Sequence, residues 1–146
     1  MTDPQDLAAR YIAQWTEPDP ARRRAAIESL WAEDGTHVLQ PPAEIRELAA
    51  DLGFDHPTLR AQGHDAIETR VTRSYQRFVE KGEFTFRSRT DAVLLDDLVR
   101  FHWDTITVAD GEVVGGGLEL VVLDTDGRIR TDYMFPGMFP GMFPGA

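Results

Sequence analysis

With 146 residues and no cysteine, the chain is sized for one domain that buries about two thirds of its unfolded surface, and a disulfide framework, thiolate-bound zinc and a thiol nucleophile are all excluded. Its 15 Lys and Arg against 25 Asp and Glu give a net charge of −10, a field that repels phosphate backbones and anionic membrane surfaces, so neither nucleic acid nor a membrane is an expected partner. No apolar run approaches the roughly 18 residues of a membrane helix, and Met1-Thr2-Asp3-Pro4 has no signal-peptide character, so the expectation is a cytoplasmic protein.

Asp3-Pro4 and Asp19-Pro20 each read as a helix N-cap followed by proline at the first helical position, where its missing N–H is not needed. In the first helix Leu7, Tyr11 and Trp15 fall at i, i+4 and i+8; in the second Ile27, Leu30 and Trp31 form a similar stripe. Arg22-Arg23-Arg24 is expected on a solvated face of that second helix. Residues 35–40 read as a short strand stopped by Pro41-Pro42, and residues 43–52 as a helix closed by Gly53. Residues 54–63 read as a loop; with the preceding helix they are expected to form a lid. A further helix spans about 64–81, with Ile67, Val71, Tyr75 and Phe78 on its buried stripe and Gly82 at its end.

The second half alternates. Strands are predicted over 83–92, 98–108, 113–123 and 128–135, the third joined to its neighbours by Asp110-Gly111 and Asp126-Gly127. Gly115-Gly116-Gly117 demands a bulge or bend in the third strand. If Phe101 and Trp103 face the core, His102 and Asp104 look outward. Ile106, Val108, Leu118, Leu120 and Val122 then give the sheet an apolar outer face that predicts a homodimer. The body is expected to span 1–135, followed by a Met-Phe-Pro-Gly repeat tail over 136–146 whose prolines forbid helix and central strand.

Taken together, Leu7-Ala8-Ala9-Arg10-Tyr11-Ile12, Leu30-Trp31-Ala32-Glu33-Asp34-Gly35-Thr36, Gly63-His64-Asp65-Ala66-Ile67 and Leu123-Asp124-Thr125-Asp126-Gly127-Arg128-Ile129 resemble the SnoaL-like branch of the nuclear transport factor 2-like (NTF2-like) superfamily. The resemblance covers nearly all of the chain up to Tyr133. It implies an α+β cone: a curved antiparallel sheet wrapped round N-terminal helices, with an internal cavity and a dimeric state. It also implies a small apolar organic molecule as partner, acted on by isomerase, cyclase or dehydratase chemistry; no cofactor is expected, and His37, His56, His64 and His102 show no metal-ligand spacing, so no metal is expected either.

Compared with the ketosteroid isomerases of that superfamily, Tyr11 matches the oxyanion tyrosine and Glu119 the protonated oxyanion acid, eight residues before Gly127. The family's aspartate base falls on Leu39 or Gln40, so the carboxylate is missing there. His37 shares a strand face with Leu39 and titrates near neutrality when unperturbed, which makes it the candidate base. Asp132, in parity with Met134 on the last strand, is a further candidate. Glu119 lies on one face with Val121 and Leu123, and if that face is concave its carboxyl must be paired or neutral. Trp15, Trp31, Leu39, Tyr75, Phe101 and Trp103 are expected to line the cavity, and His56 and His64 to sit at its edge or on the surface. The competing expectation is a non-catalytic binding or dimerisation module, because a fold does not by itself carry a reaction.

Overall fold

In the computed structural model, which describes residues 2–41, 43–54 and 58–137, helices pack into the concave side of a seven-stranded sheet. The elements run α1 (Pro4–Thr16), α2 (Pro20–Leu30), β1 (Trp31–Leu39), α3 (Ala43–Asp51), β2 (Leu59–Gln62), α4 (His64–Ser74), a π-helical turn (Tyr75–Val79), β3 (Phe84–Ser88), β4 (Val93–Leu95), β5 (Leu98–Thr107), β6 (Val113–Leu123) and β7 (Ile129–Pro136). Both predicted caps form: the Asp3 carboxylate accepts from the Gln5 and Asp6 amides, and Asp19 from Arg22. His56 and the tail beyond Gly137 lie outside the described residues.

The strand order is β2-β1-β7-β6-β5-β3, with β4 paired to β5. The sheet is mixed rather than wholly antiparallel, because β1 runs parallel to β7. Local periodicity is blind to this pairing, since the two strands lie about ninety residues apart and are joined by everything between them. Residues 59–62, expected as loop, instead add an edge strand to β1. The helix expected to run to residue 81 ends at Ser74 and passes into the π turn, where the Glu80 amide reaches back to the Tyr75 carbonyl.

Two features fix the curvature. Opposite Thr105 and Ile106 the register of β6 slips from Gly115 to Val113, so Val114 is the extra residue of a bulge where the glycine run began. At Gly117 a Cβ would stand 2.5 Å from Cζ2 of Trp103. The glycine therefore lets the indole lie flat on β6, which a side chain would forbid. Gly117→Ala should destabilise the protein by about 1–3 kcal/mol in denaturant unfolding, the usual cost of overpacking a filled site; an unchanged midpoint would show that the indole is free to move aside.

The core forms between α1, α2, α4 and the concave face, with Leu7, Tyr11, Ile27, Trp31, Ile67, Val71, Phe101 and Ile129 almost wholly buried. Each such side chain contributes on the order of 2 kcal/mol through loss of apolar surface from water. The expectation of a solvated Arg22-Arg23-Arg24 fails at Arg23, which is 3 % exposed. Its guanidinium bonds to the Glu17 carbonyl and Thr72 and lies 4.6 Å over the Tyr75 ring. On β5 the parity holds: Phe101 and Trp103 point inward, while His102 pairs with Asp91 and Asp104 with Arg87 and Arg89 on the outside.

Candidate functional site

Strand alternation and register bring the chemistry to one place. His37 of β1 stands opposite Asp132 in the parallel pair with β7, Asp132 stands opposite Val121, and Glu119 lies opposite Met134 on one side and Phe101 on the other. Since residues in register share a face, His37, Asp132 and Glu119 all project to the concave side. Tyr11 comes down on them from α1.

The Tyr11 hydroxyl sits between two carboxyls, 2.8 Å from Glu119 Oε1 and 2.5 Å from Asp132 Oδ2. Trp103 Nε1, aimed by its seat on Gly117, donates to Glu119 Oε2 at 2.7 Å. Glu119 and Asp132 are both fully buried, and no Lys or Arg lies within ion-pair distance of either among the described residues. Two bare carboxylates in that position would meet desolvation and mutual repulsion together. Burial and the Asp132 charge push the Glu119 carboxyl well above its usual range, and burial lifts Asp132 to about 6. The pair therefore shares a proton: a neutral carboxyl donates to the tyrosine oxygen, and the tyrosine donates to the remaining carboxylate. Burial, and after it the Asp132 and Glu119 charges, also raises Tyr11, which keeps the phenol protonated.

His37 is buried beside this pair and its ring nitrogens differ. Arg70 Nη1 lies 2.8 Å from His37 Nδ1. A guanidinium has no acceptor, so Nδ1 must offer its lone pair and the ring proton must be on Nε2. Nε2 faces Asp132 Oδ2 at 3.5 Å, too far for a good hydrogen bond, and has no other partner among the described residues. Burial, assisted by the Arg70 charge, lowers the imidazole pKa to about 3. The histidine is therefore a neutral N–H donor, and its only lone pair is occupied. This corrects its expected use as the general base: the geometry suits a donor of the kind that polarises a carbonyl.

The ligand atoms of His37, Glu119 and Asp132 lie within 4.8 Å of one another, a spacing compatible with a metal ion. The tautomer argues against one, because Nε2 carries the proton that a metal would have to replace while Arg70 holds Nδ1.

Above this cluster opens a cavity of about 410 Å³ with a nearly wholly apolar wall. Trp15, Leu39 and Trp103 of the expected lining residues border it, as do Tyr11 and His37; Glu119 and Asp132 lie directly behind. Trp31, Tyr75 and Phe101 do not border it, contrary to expectation. Trp31 turns into the core and donates to Gln14, Tyr75 is held under Arg23, and Phe101 packs edge-on against Tyr11. Gln40, Arg70, Ser74, Phe78, Phe86 and Thr105 complete much of the wall. His64 is remote, bonded to the Trp31 carbonyl. The sequence signal for Arg70 was available: it stands at i+3 from Ile67 beside Val71, so a cation interrupts the apolar stripe of α4.

No protein-family model and no curated protein matches the chain. Solved structures do. A SnoaL-like family protein from Agrobacterium tumefaciens is 27 % identical with a TM-score of 0.73, covering 93 % of this chain and 98 % of its own. A SnoaL-like protein from Burkholderia thailandensis is 15 % identical with a TM-score of 0.57 over 93 % and 99 %, and an NTF2-like protein from Exiguobacterium is 18 % identical with a TM-score of 0.60 over 91 % and 99 %. The fold is thus that of the SnoaL-like and NTF2-like proteins: α+β, with a curved, unclosed mixed sheet.

Proposed function

We propose that the cavity binds a small, mainly apolar organic molecule and moves a proton on it, with Tyr11 as the group at the ligand and the Glu119–Asp132 pair as its proton store. The observation that carries this is the hydroxyl of Tyr11, a residue that lines the apolar cavity, bridging two fully buried carboxyls. Such a pair holds one proton near neutrality and can give or take it with little cost in driving force. When a C–H proton beside a carbonyl passes to the tyrosine oxygen, the phenolic proton passes to Asp132, and the electron pair of the broken C–H bond forms an enolate. The His37 Nε2–H supplies a hydrogen bond to the enolate oxygen. The Agrobacterium protein is named as a candidate isomerase, and proton transfer through an enolate is one route to isomerisation.

The test is deuterium exchange at the acidic CH₂ of 2-tetralone in heavy water, followed by proton NMR. The protein should accelerate exchange above buffer, and a ligand-free cavity variant, Trp15→Arg, should not. Binding of the ketone without any exchange would favour the binding-module alternative.

The working unit is a homodimer through the outer sheet face. Leu118, Leu120 and Val122 alternate outward beside Phe135, Tyr133 and Thr131, with Tyr133 41 % exposed. Ile106, expected on the same patch, is only 8 % exposed and contributes little. Light scattering at micromolar concentration should report twice the mass of 16.4 kDa, and Leu120→Lys should halve it. A monomer at all concentrations would remove the dimer. No helix among the described residues is long and apolar enough to cross a membrane.

A further inference from the structure

One cation stands in the wall of this apolar cavity. Arg70, half-buried on α4, directs Nη1 to three acceptors at once: His37 Nδ1 at 2.8 Å, the His37 carbonyl at 3.3 Å and the Leu59 carbonyl at 3.3 Å. All three are neutral. Among the described residues no carboxylate lies within ion-pair distance of the guanidinium, and Nε and Nη2 make no hydrogen bond to the protein. The free edge is the one that matters, because Nε–H and Nη2–H are parallel and receive the two oxygens of a carboxylate together. Partial burial of this charge, without an anion to offset it, disfavours it in the empty protein.

We propose that the cavity selects apolar monocarboxylic acids, with the carboxylate seated on the Nε/Nη2 edge of Arg70 and the hydrocarbon body against Trp15, Phe78, Phe86 and Trp103. This rests on the reading of the cavity as a small-molecule site. His37 fixes the distance between the two ends of such a ligand. Its Nδ1 touches Arg70 and its Nε2 faces Asp132, so the imidazole ring is the spacer between the anion anchor and the proton-transfer cluster. A ligand lying along that ring presents an atom a few bonds from its carboxylate to Tyr11. Oxo acids and hydroxy acids have this form. A neutral hydrocarbon or ketone fills the apolar wall and leaves the guanidinium unpaired.

Binding is read from tryptophan fluorescence, since Trp15 and Trp103 border the cavity, with 4-phenylbutanoate and 4-phenylbutanamide as a matched pair at pH 7. The native protein should bind the carboxylate at least about tenfold more tightly than the amide, as expected for a charge-assisted bidentate pair. Arg70→Gln should bring the carboxylate down to the amide and leave the amide within twofold; Arg70→Lys should keep part of the preference. Equal or better binding of the amide by the native protein overturns the proposal, as does a preference that survives in Arg70→Gln. If Arg70→Gln does not fold, the native selectivity and Arg70→Lys decide, a lysine with undiminished preference counting against the bidentate seat. Tyr11→Phe should retain the carboxylate preference. A native protein that shows the carboxylate preference but no acceleration of 2-tetralone exchange would sink the proton-transfer reading alone, whereas failure to bind either probe at millimolar concentration would remove both.

Discussion

Asp132→Asn should lower the rate of 2-tetralone exchange by about a hundredfold or more while the ketone still binds, the usual loss when a positioned proton acceptor is removed. The reason is geometric. Asp132 Oδ2 is the atom that receives the phenolic proton at 2.5 Å, and an amide presents no comparable basicity there. Tyr11→Phe should be as severe, because it removes the hydroxyl that bridges the two carboxyls beside the cavity. Glu119→Gln keeps a donor toward the tyrosine and should cost far less if Glu119 is the neutral partner. In the native protein the rate should rise with pH through about 6, as Asp132 loses its proton and becomes able to accept one. A rate that falls through that range, or an Asp132→Asn variant with native exchange, would place the base elsewhere.

The same titrations leave a mark on stability. Asp132 has a folded pKa of about 6 against an ordinary 3.8, so the folded protein holds a proton in that window that the unfolded chain has released. Its contribution to stability is fully present below 3.8 and is lost as pH rises through 6. His37 has the opposite sign: at about 3 against an ordinary 6.5, it contributes stability that is present above 6.5 and is lost as pH falls toward 3. Between roughly pH 4 and 6 these two slopes, each about 1.4 kcal/mol per pH unit for one proton, oppose each other, and the raised Glu119 carboxyl adds a slope of the Asp132 sign above its ordinary 4.5. Asp132→Asn removes the Asp132 slope. On acidification from pH 6 to 4 that variant should lose stability more steeply than the native protein, by about 1.4 kcal/mol per unit, in denaturant unfolding at stepped pH. His37→Gln should differ from the native protein in the other direction. Parallel pH curves for the native protein and both variants would mean that neither group is perturbed.

Much of this architecture is legible in the chain. The Asp-Pro starts of α1 and α2, the Asp-Gly turns around β6 and the two-residue period of β5 are local signals, and local physics sets them. The bulge at the glycine run follows from the same logic. What periodicity does not carry is partnership at long range. The parallel pairing of β1 with β7 is the contact that sets His37 beside Asp132, and nothing within either strand announces it. The role expected of His37 shows the same limit. Its face was readable from its spacing to Leu39, but the proton on Nε2 is dictated by Arg70, thirty-three residues away on α4. Tyr75 and Phe101 share the apolar character of true lining residues, and only the positions of Arg23 and Tyr11 decide that they turn from the cavity.

The claim on which the function depends is that Glu119 and Asp132 hold a proton between them at neutral pH behind Tyr11. Infrared difference spectroscopy of the carboxyl C=O stretch, comparing the native protein with Glu119→Gln at pH 7, tests it most directly. A protonated-carboxyl band that is present in the native protein and lost in Glu119→Gln is the predicted result; a native protein with no protonated carboxyl at pH 7 would contradict it.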